Sequence, residues 1–205
     1  MISPLTIFYT DNLRGDLARL PRLHSFLQQQ RQRFEHQPLL IDLGNSCAPD
    51  VWHCRATEGR STLIVLDAMG YHAANVVGVV DESRRDDLRS SLGLGLLDER
   101  RSWRYAIPPV QDADLVVAVV PVPALKLCVV AAPAAETSLK NRVLKLQSPA
   151  DGSIGMVQVD VSAQVILHTE MLALPSGLKA DPTISATVDF VEDEARFYQK
   201  KRGQE

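Results

Sequence analysis

The most recognisable ligand chemistry in the chain sits at Cys47, His53 and Cys54, close to Asp50. Thiolate sulfur and neutral imidazole nitrogen are the donors a zinc ion takes. The spacing is not Cys-x-x-Cys, and no fourth ligand follows from it. A structural or incidental role for the three residues is therefore the favoured reading. With Cys128 the chain has 3 cysteines, too few for a disulfide framework, which fits a reducing compartment. Leu92-Gly93-Leu94-Gly95-Leu96 has the glycines of a phosphate loop but no following Lys or Ser/Thr. It reads as a helix end and a turn. His24 and His36 read as ordinary surface histidines. Trp52 and Trp103 are expected to pack at sheet edges, and they form no stacking array for single-stranded nucleic acid.

The charge balance narrows the function classes. Lys plus Arg is 22 and Asp plus Glu is 25 in 205 residues, a net charge of −3, whereas a nucleic-acid binder normally carries a basic surplus. With 45% hydrophobic and 23% charged residues, the chain has the composition of a globular protein. The apolar run Leu115 to Leu125 is broken by Pro121 and Pro123 and is too short to span a bilayer. Met1-Ile2-Ser3-Pro4-Leu5 lacks the basic and apolar regions of a signal peptide. The expectation is a soluble, cytoplasmic, single domain over residues 1–205, with neither nucleic acid nor membrane as partner.

The elements that must position any site follow from periodicity. Leu5 to Tyr9 reads as a first strand, and Leu17, Leu20, Leu23, Leu27 and Phe34 mark an amphipathic helix with Asp16 placed to cap it. Pro38 ends that helix, and Leu39 to Leu43 is a second strand. Residues 45–60 look irregular. Ser61 to Met69 reads as a helix closed by Gly70, Asn75 to Val80 as a third strand, and Asp81 to Leu92 as a third helix. This βαβαβα order over 1–92 implies a parallel sheet. The half from 104 to 205 is strand-rich: Leu115–Val120, Leu125–Ala132, Val143–Gln147, Ile154–Val161 and Val165–Leu174. Ser148-Pro149-Ala150-Asp151-Gly152 reads as a hairpin turn. Asp181-Pro182 opens a terminal helix, ending in the solvated Lys200-Lys201-Arg202-Gly203.

Several blocks, in order, resemble the calcineurin-like metallophosphoesterase superfamily, nearest the catalytic domain of bacterial 5′-nucleotidases and UDP-sugar hydrolases. They are Tyr9-Thr10-Asp11-Asn12-Leu13-Arg14-Gly15, Leu20-Pro21-Arg22-Leu23, Ile41-Asp42-Leu43-Gly44-Asn45-Ser46, Asp67-Ala68-Met69-Gly70-Tyr71-His72 and Gly78-Val79-Val80-Asp81-Glu82. Asp151-Gly152-Ser153-Ile154-Gly155 is similar to the family's late hairpin. The resemblance implies an α/β fold, a metallophosphoesterase-like α/β/β/α sandwich, here with a trimmed middle between about Leu92 and Arg142.

It also implies where chemistry would sit. These enzymes hold two divalent cations that clamp a phosphate and activate water. Asn12 stands at the family's first aspartate, Arg14 at its paired histidine and Asn45 at its bridging aspartate. Val79 and Val80 stand at an asparagine ligand and the catalytic histidine. Arg14 cannot ligate a cation, and valine offers no donor. The late histidine ligands have no counterpart, and His168 lies within a strand pattern. The resemblance therefore implies a non-catalytic member with no cofactor, acting as a binding or interaction module. Its remnant cleft is Asp11, Asn12, Arg14, Asn45 and Glu82. Its candidate partners are a phosphate-bearing small molecule, another protein or a second copy of the chain. Arg14 would either help hold an anion with Asn12 and Asn45 or pair with Asp11, Asp42 or another carboxylate. The alternative is a phosphohydrolase whose two divalent metals sit in a rearranged site of Asp11, Asn12, Asn45 and Glu82.

Overall fold

The computed structural model describes residues 4–105, 115–150 and 153–202. Two mixed sheets face one another. The six-stranded sheet runs β11-β10-β1-β2-β3-β4 and the five-stranded sheet β5-β6-β7-β9-β8, with β1 Leu5–Thr10, β2 Leu39–Asp42, β3 Ala73–Asn75, β4 Gly95–Leu97, β5 Trp103–Tyr105, β6 Leu115–Ala118, β7 Leu127–Ala134, β8 Ser138–Lys140, β9 Val143–Gln147, β10 Ser153–Asp160 and β11 Val165–Ala173. The helices are α1 Leu20–Arg31, α2 Trp52–Ala56, α3 Arg60–Ala68, α4 Glu82–Ser91 and α5 Pro182–Arg202.

Alternation along each strand builds two cores. Phe8, Leu40, Ala74 and Met156 face the helices, beside Leu20, Leu23, Leu63, Leu66 and Val191. Ile7, Tyr9, Ile41 and Val157 face the second sheet, beside Val117, Val129 and Leu144. Strands β1 to β4 are parallel, as right-handed β–helix–β units require. Tyr9 and Gly155 are register partners on β1 and β10. A Cβ at Gly155 would come within 2.0 Å of the Tyr9 ring, so that close approach needs glycine.

The first helix, second strand, third helix of the reading (α4) and terminal helix fall where the periodicity predicts. α5 opens at Asp181-Pro182 as expected, and Asp181 caps it: its Oδ1 accepts from Ile184 N at 3.0 Å, while Asp181 N donates to the Pro21 carbonyl at 3.1 Å. Asp16, by contrast, makes no side-chain cap bond; it precedes a 3₁₀ turn over Leu17–Arg19, and Pro21 sits in the first turn of α1.

Four expectations are corrected. The third strand ends at Asn75 instead of starting there, because Asn75 Oδ1 captures the Val77 N–H at 3.0 Å and turns the chain. Val76 and Val80 are apolar because they fill the helical core. Leu94 to Leu97 is not a mere helix end, since Gly95 N donates to the His72 carbonyl and β4 pairs with β3. The 45–60 segment contains α2, which docks on α3 and α5. Finally, β9 and β10 are not a hairpin: β9 pairs with β7 and β8, β10 with β1 and β11. The chain there passes from one sheet to the other. Asp151 and Gly152, part of the expected turn, lie outside the described residues.

Candidate functional site

The loops leaving β1 and β2 run side by side as an extension of the parallel ladder. Leu43 N donates to Thr10 O at 2.8 Å, Asn12 N to Gly44 O at 3.0 Å, Arg14 N to Asn45 O at 2.9 Å and Gly15 N to Ser46 O at 2.8 Å. The pairing forces tight left-handed steps at Asn12 (φ 57), Arg14 (φ 53) and Asn45 (φ 52). Asparagine tolerates that conformation better than most residues; arginine gains nothing from it. These steps bring Asn12, Arg14 and Asn45 onto adjacent loops.

The charged side chains then take separate partners. Asp11 Oδ2 accepts a 2.5 Å hydrogen bond from Ser148 Oγ, at the end of β9 in the opposite sheet. Its Oδ1 atom is buried without a partner among the described residues. Arg14 turns outward, 3.8 Å from Asp50, and the two side chains are 60% and 74% exposed. The carboxylate it meets is thus neither Asp11 nor Asp42. Asn45 is exposed. Glu82, in the first turn of α4, is exposed and ion-paired with Arg100.

Glu82 lines a different space. A cleft of about 350 Å³ lies between the loop after β2 and the turn after β3, walled by Cys47, Cys54, Val79, Val80 and Glu82. Gly59 lets these walls approach. Its φ is +85, and a Cβ there would come within 2.1 Å of the Val79 carbonyl oxygen, so only glycine fits.

Three buried polar groups underlie the loops. Asp42 is fully buried and accepts from Thr10 Oγ1 at 2.9 Å, while its Oδ2 has no partner among the described residues. Burial holds its carboxyl well above the ordinary range; the Thr10 hydrogen bond opposes this and the Asp11 charge adds to it. Tyr71, also buried, is pushed up chiefly by burial. The third is His53. Its Nε2 lies 2.9 Å from the Gly15 carbonyl and its Nδ1 2.8 Å from Ser61 Oγ, and burial lowers its proton affinity.

The cysteine reading is corrected here. Cys47 and Cys54 form a disulfide, which the residue count alone does not suggest, so cysteine usage no longer argues for a reducing compartment. Cys128 is free and buried. Among the described residues, the one group of three or more His, Cys, Asp or Glu close enough to share an ion is Cys47, His53 and Cys54. Neither Asp11 nor Glu82 belongs to such a group. His72 Nδ1 accepts from Leu40 N at 3.0 Å, and the half-exposed His168 lies 3.5 Å from Glu170 on β11. Ser148 meets Asp11 across the two sheets, a contact that spacing could not reveal, and Ser61 meets His53 only because the short α2 folds against α3.

No protein-family model matches the sequence, and no curated protein matches it. Solved structures do match. The calcineurin-like phosphoesterase YfkN of Bacillus subtilis superposes with a TM-score of 0.61 over 96% of this chain and 99% of that one, at 9% identity. The fold is that of the calcineurin-like phosphoesterases. A 5′-nucleotidase precursor of Thermus thermophilus aligns with a TM-score of 0.62 over 94% of this chain at 11% identity. SoxB, a sulfate thiohydrolase of the same organism, aligns with 0.66 over 95% at 10% identity. The chain spans 59% and 61% of those two proteins. This phosphoesterase fold has two mixed sheets, as the resemblance implies. Among the described residues no helix is long and apolar enough to cross a membrane.

Proposed function

We propose that this phosphoesterase-fold chain is non-catalytic and works as a binding or interaction module. The observation that carries the reading is the donor set on a preserved loop pair. The paired loops after β1 and β2 present Asn12, Arg14 and Asn45. A pair of hard divalent cations needs several anionic oxygens or imidazoles. Two amides and a permanently protonated guanidinium do not fit such a pair. Val79 and Val80, where the resemblance calls for an amide and an imidazole, supply only hydrocarbon to the neighbouring cleft. One oxygen of the Asp11 carboxylate is engaged by Ser148, and Glu82 is paired with Arg100.

A phosphate-bearing small molecule is the ligand class this surface favours, because Arg14 and the Asn12 and Asn45 amides are anion donors. Its competitor for Arg14 is Asp50. An exposed pair at that distance contributes little, so a doubly charged phosphate can displace it. The rival reading, hydrolysis through a rearranged metal site, requires Asp11 and Glu82 to converge on shared ions, whereas Asp11 is bonded to Ser148 and Glu82 is paired with Arg100 beside the cleft of the disulfide.

The test is hydrolysis of bis-p-nitrophenyl phosphate and 5′-AMP with added Mn²⁺, beside calorimetric titration with 5′-AMP. Binding without turnover, weakened by Arg14→Ala, is expected. Turnover abolished by Asn12→Ala or Asn45→Ala refutes the proposal.

A further inference from the structure

The chemistry left over by that reading lies at the Cys47–Cys54 disulfide. One ligand atom from each of Cys47, His53 and Cys54 lies within 4.8 Å of the other two, and all three residues are buried. His53 is oriented in a particular way. The Gly15 carbonyl oxygen only accepts, so the Nε2 that faces it at 2.9 Å carries the hydrogen. In the neutral ring Nδ1 is then the lone-pair nitrogen, and it accepts the Ser61 hydroxyl hydrogen at 2.8 Å. Ser61 Oγ is also 3.6 Å from Cys47 Sγ. A ring nitrogen whose lone pair is held only by a hydroxyl hydrogen that an ion can displace, with its partner N–H anchored on a backbone carbonyl, matches the outer-shell anchoring of metal-bound histidines.

We infer that the reduced protein holds one zinc-type ion through Cys47 Sγ, Cys54 Sγ and His53 Nδ1, with Ser61 Oγ or water in the fourth position. In a tetrahedral site of this kind the donor atoms stand about 3.5–3.8 Å apart. The sulfurs must therefore separate after the S–S bond breaks, while the His53 nitrogen stays near its present place. The chemistry balances. A thiol reductant gives two electrons to the S–S bond and two protons to the sulfurs, and leaves as its own disulfide. The ion then displaces both thiol protons to solvent. The cleft walled by the two cysteines supplies the path for reductant and ion. The site is chemically unlike a carboxylate di-metal centre: sulfur and imidazole select Zn²⁺ or Co²⁺ over Mg²⁺ or Mn²⁺. It stands or falls independently of the proposed phosphate binding.

The experiment uses the full chain, reduced with a phosphine under argon and freed of reductant, then titrated with Co²⁺. The expected result is thiolate-to-cobalt charge-transfer absorption and tetrahedral visible bands saturating at about one equivalent. Oxidised protein should show neither, and Cys47→Ser should abolish both. His53→Ala should weaken binding about 10-fold or more and shift the visible bands. Far-UV circular dichroism of each sample reports folding. Absence of bands in folded, reduced protein overturns the inference. So do bands unchanged by His53→Ala, and loss of the native circular-dichroism signal on reduction, since the site needs Gly15 and Ser61 in place.

Discussion

Ser148 Oγ donates to Asp11 Oδ2 at 2.5 Å, joining the end of β9 in the five-stranded sheet to the end of β1 in the six-stranded one. The residues are far apart in sequence, so the bond forms only when the two sheets are stacked. Ser148→Ala should cost about 1–2 kcal/mol, the worth of a partly buried hydrogen bond to a carboxylate. Urea denaturation measures it. A double-mutant cycle with Asp11→Asn should return most of that energy as coupling; additive costs would place the stabilisation elsewhere.

Asp42 should make stability depend on pH. Its folded carboxyl titrates well above the ordinary value, so over the range where the unfolded chain is already ionised the folded state keeps the proton. Stability from this group is therefore present at acid pH and falls as pH rises past the ordinary carboxylate value, until the folded group itself ionises. Asp42→Asn removes that dependence. The melting temperature of the variant minus that of the parent should rise between pH 4 and pH 7; a flat difference contradicts the assignment.

Asn75 joins three backbone segments at once. Its Nδ2 donates to Leu43 O at 2.9 Å and to Ala131 O at 3.0 Å, and its Oδ1 accepts from Val77 N at 3.0 Å. Asn75→Ala leaves those groups without their partner and should cost about 2–4 kcal/mol, as two or three unsatisfied groups would. Asn75→Asp should be as damaging, because it sets a carboxylate against two carbonyls. Denaturant midpoints of both variants check this, and a loss under about 0.5 kcal/mol, the usual effect of a surface substitution, refutes it.

The Cys47–Cys54 bond closes a loop of sequence separation 7. Chain-entropy arguments give about 2–3 kcal/mol for so short a loop. Cys47→Ser/Cys54→Ser should lower the stability measured by urea by that amount while keeping the fold, and added reductant should leave the double variant unchanged. Equal stability with and without the bond refutes the estimate.

Much of the scaffold was legible because its signals are local. Leu20, Leu23 and Leu27 recur at helical spacing, Leu39 to Ile41 are unbroken apolar residues before Gly44, and Asp181-Pro182 marks a helix start. What escaped was decided at a distance. Gly95 to Leu97 pairs only because β3 offers an edge, and β9 joins the second sheet because β7 lies beside it. Asn75 and the valines after it fit a strand pattern until one side-chain oxygen takes the Val77 N–H. At the site, the family resemblance grouped Asn12, Arg14 and Asn45, and the ladder that continues past β1 and β2 sets them on adjacent loops. It could not show Arg14 turning toward Asp50, Asp11 meeting Ser148, or Glu82 facing the cleft of the disulfide. Cys47 and Cys54 pair because α2, unseen in the polar 45–60 stretch, folds back toward the loop after β2.

The most direct test is the divalent-metal content of the oxidised protein after equilibration with Mn²⁺ and desalting. The donor set at Asn12, Arg14 and Asn45 predicts well under one equivalent by elemental analysis. Two equivalents, lost together in Asn12→Ala and Asn45→Ala, would contradict it.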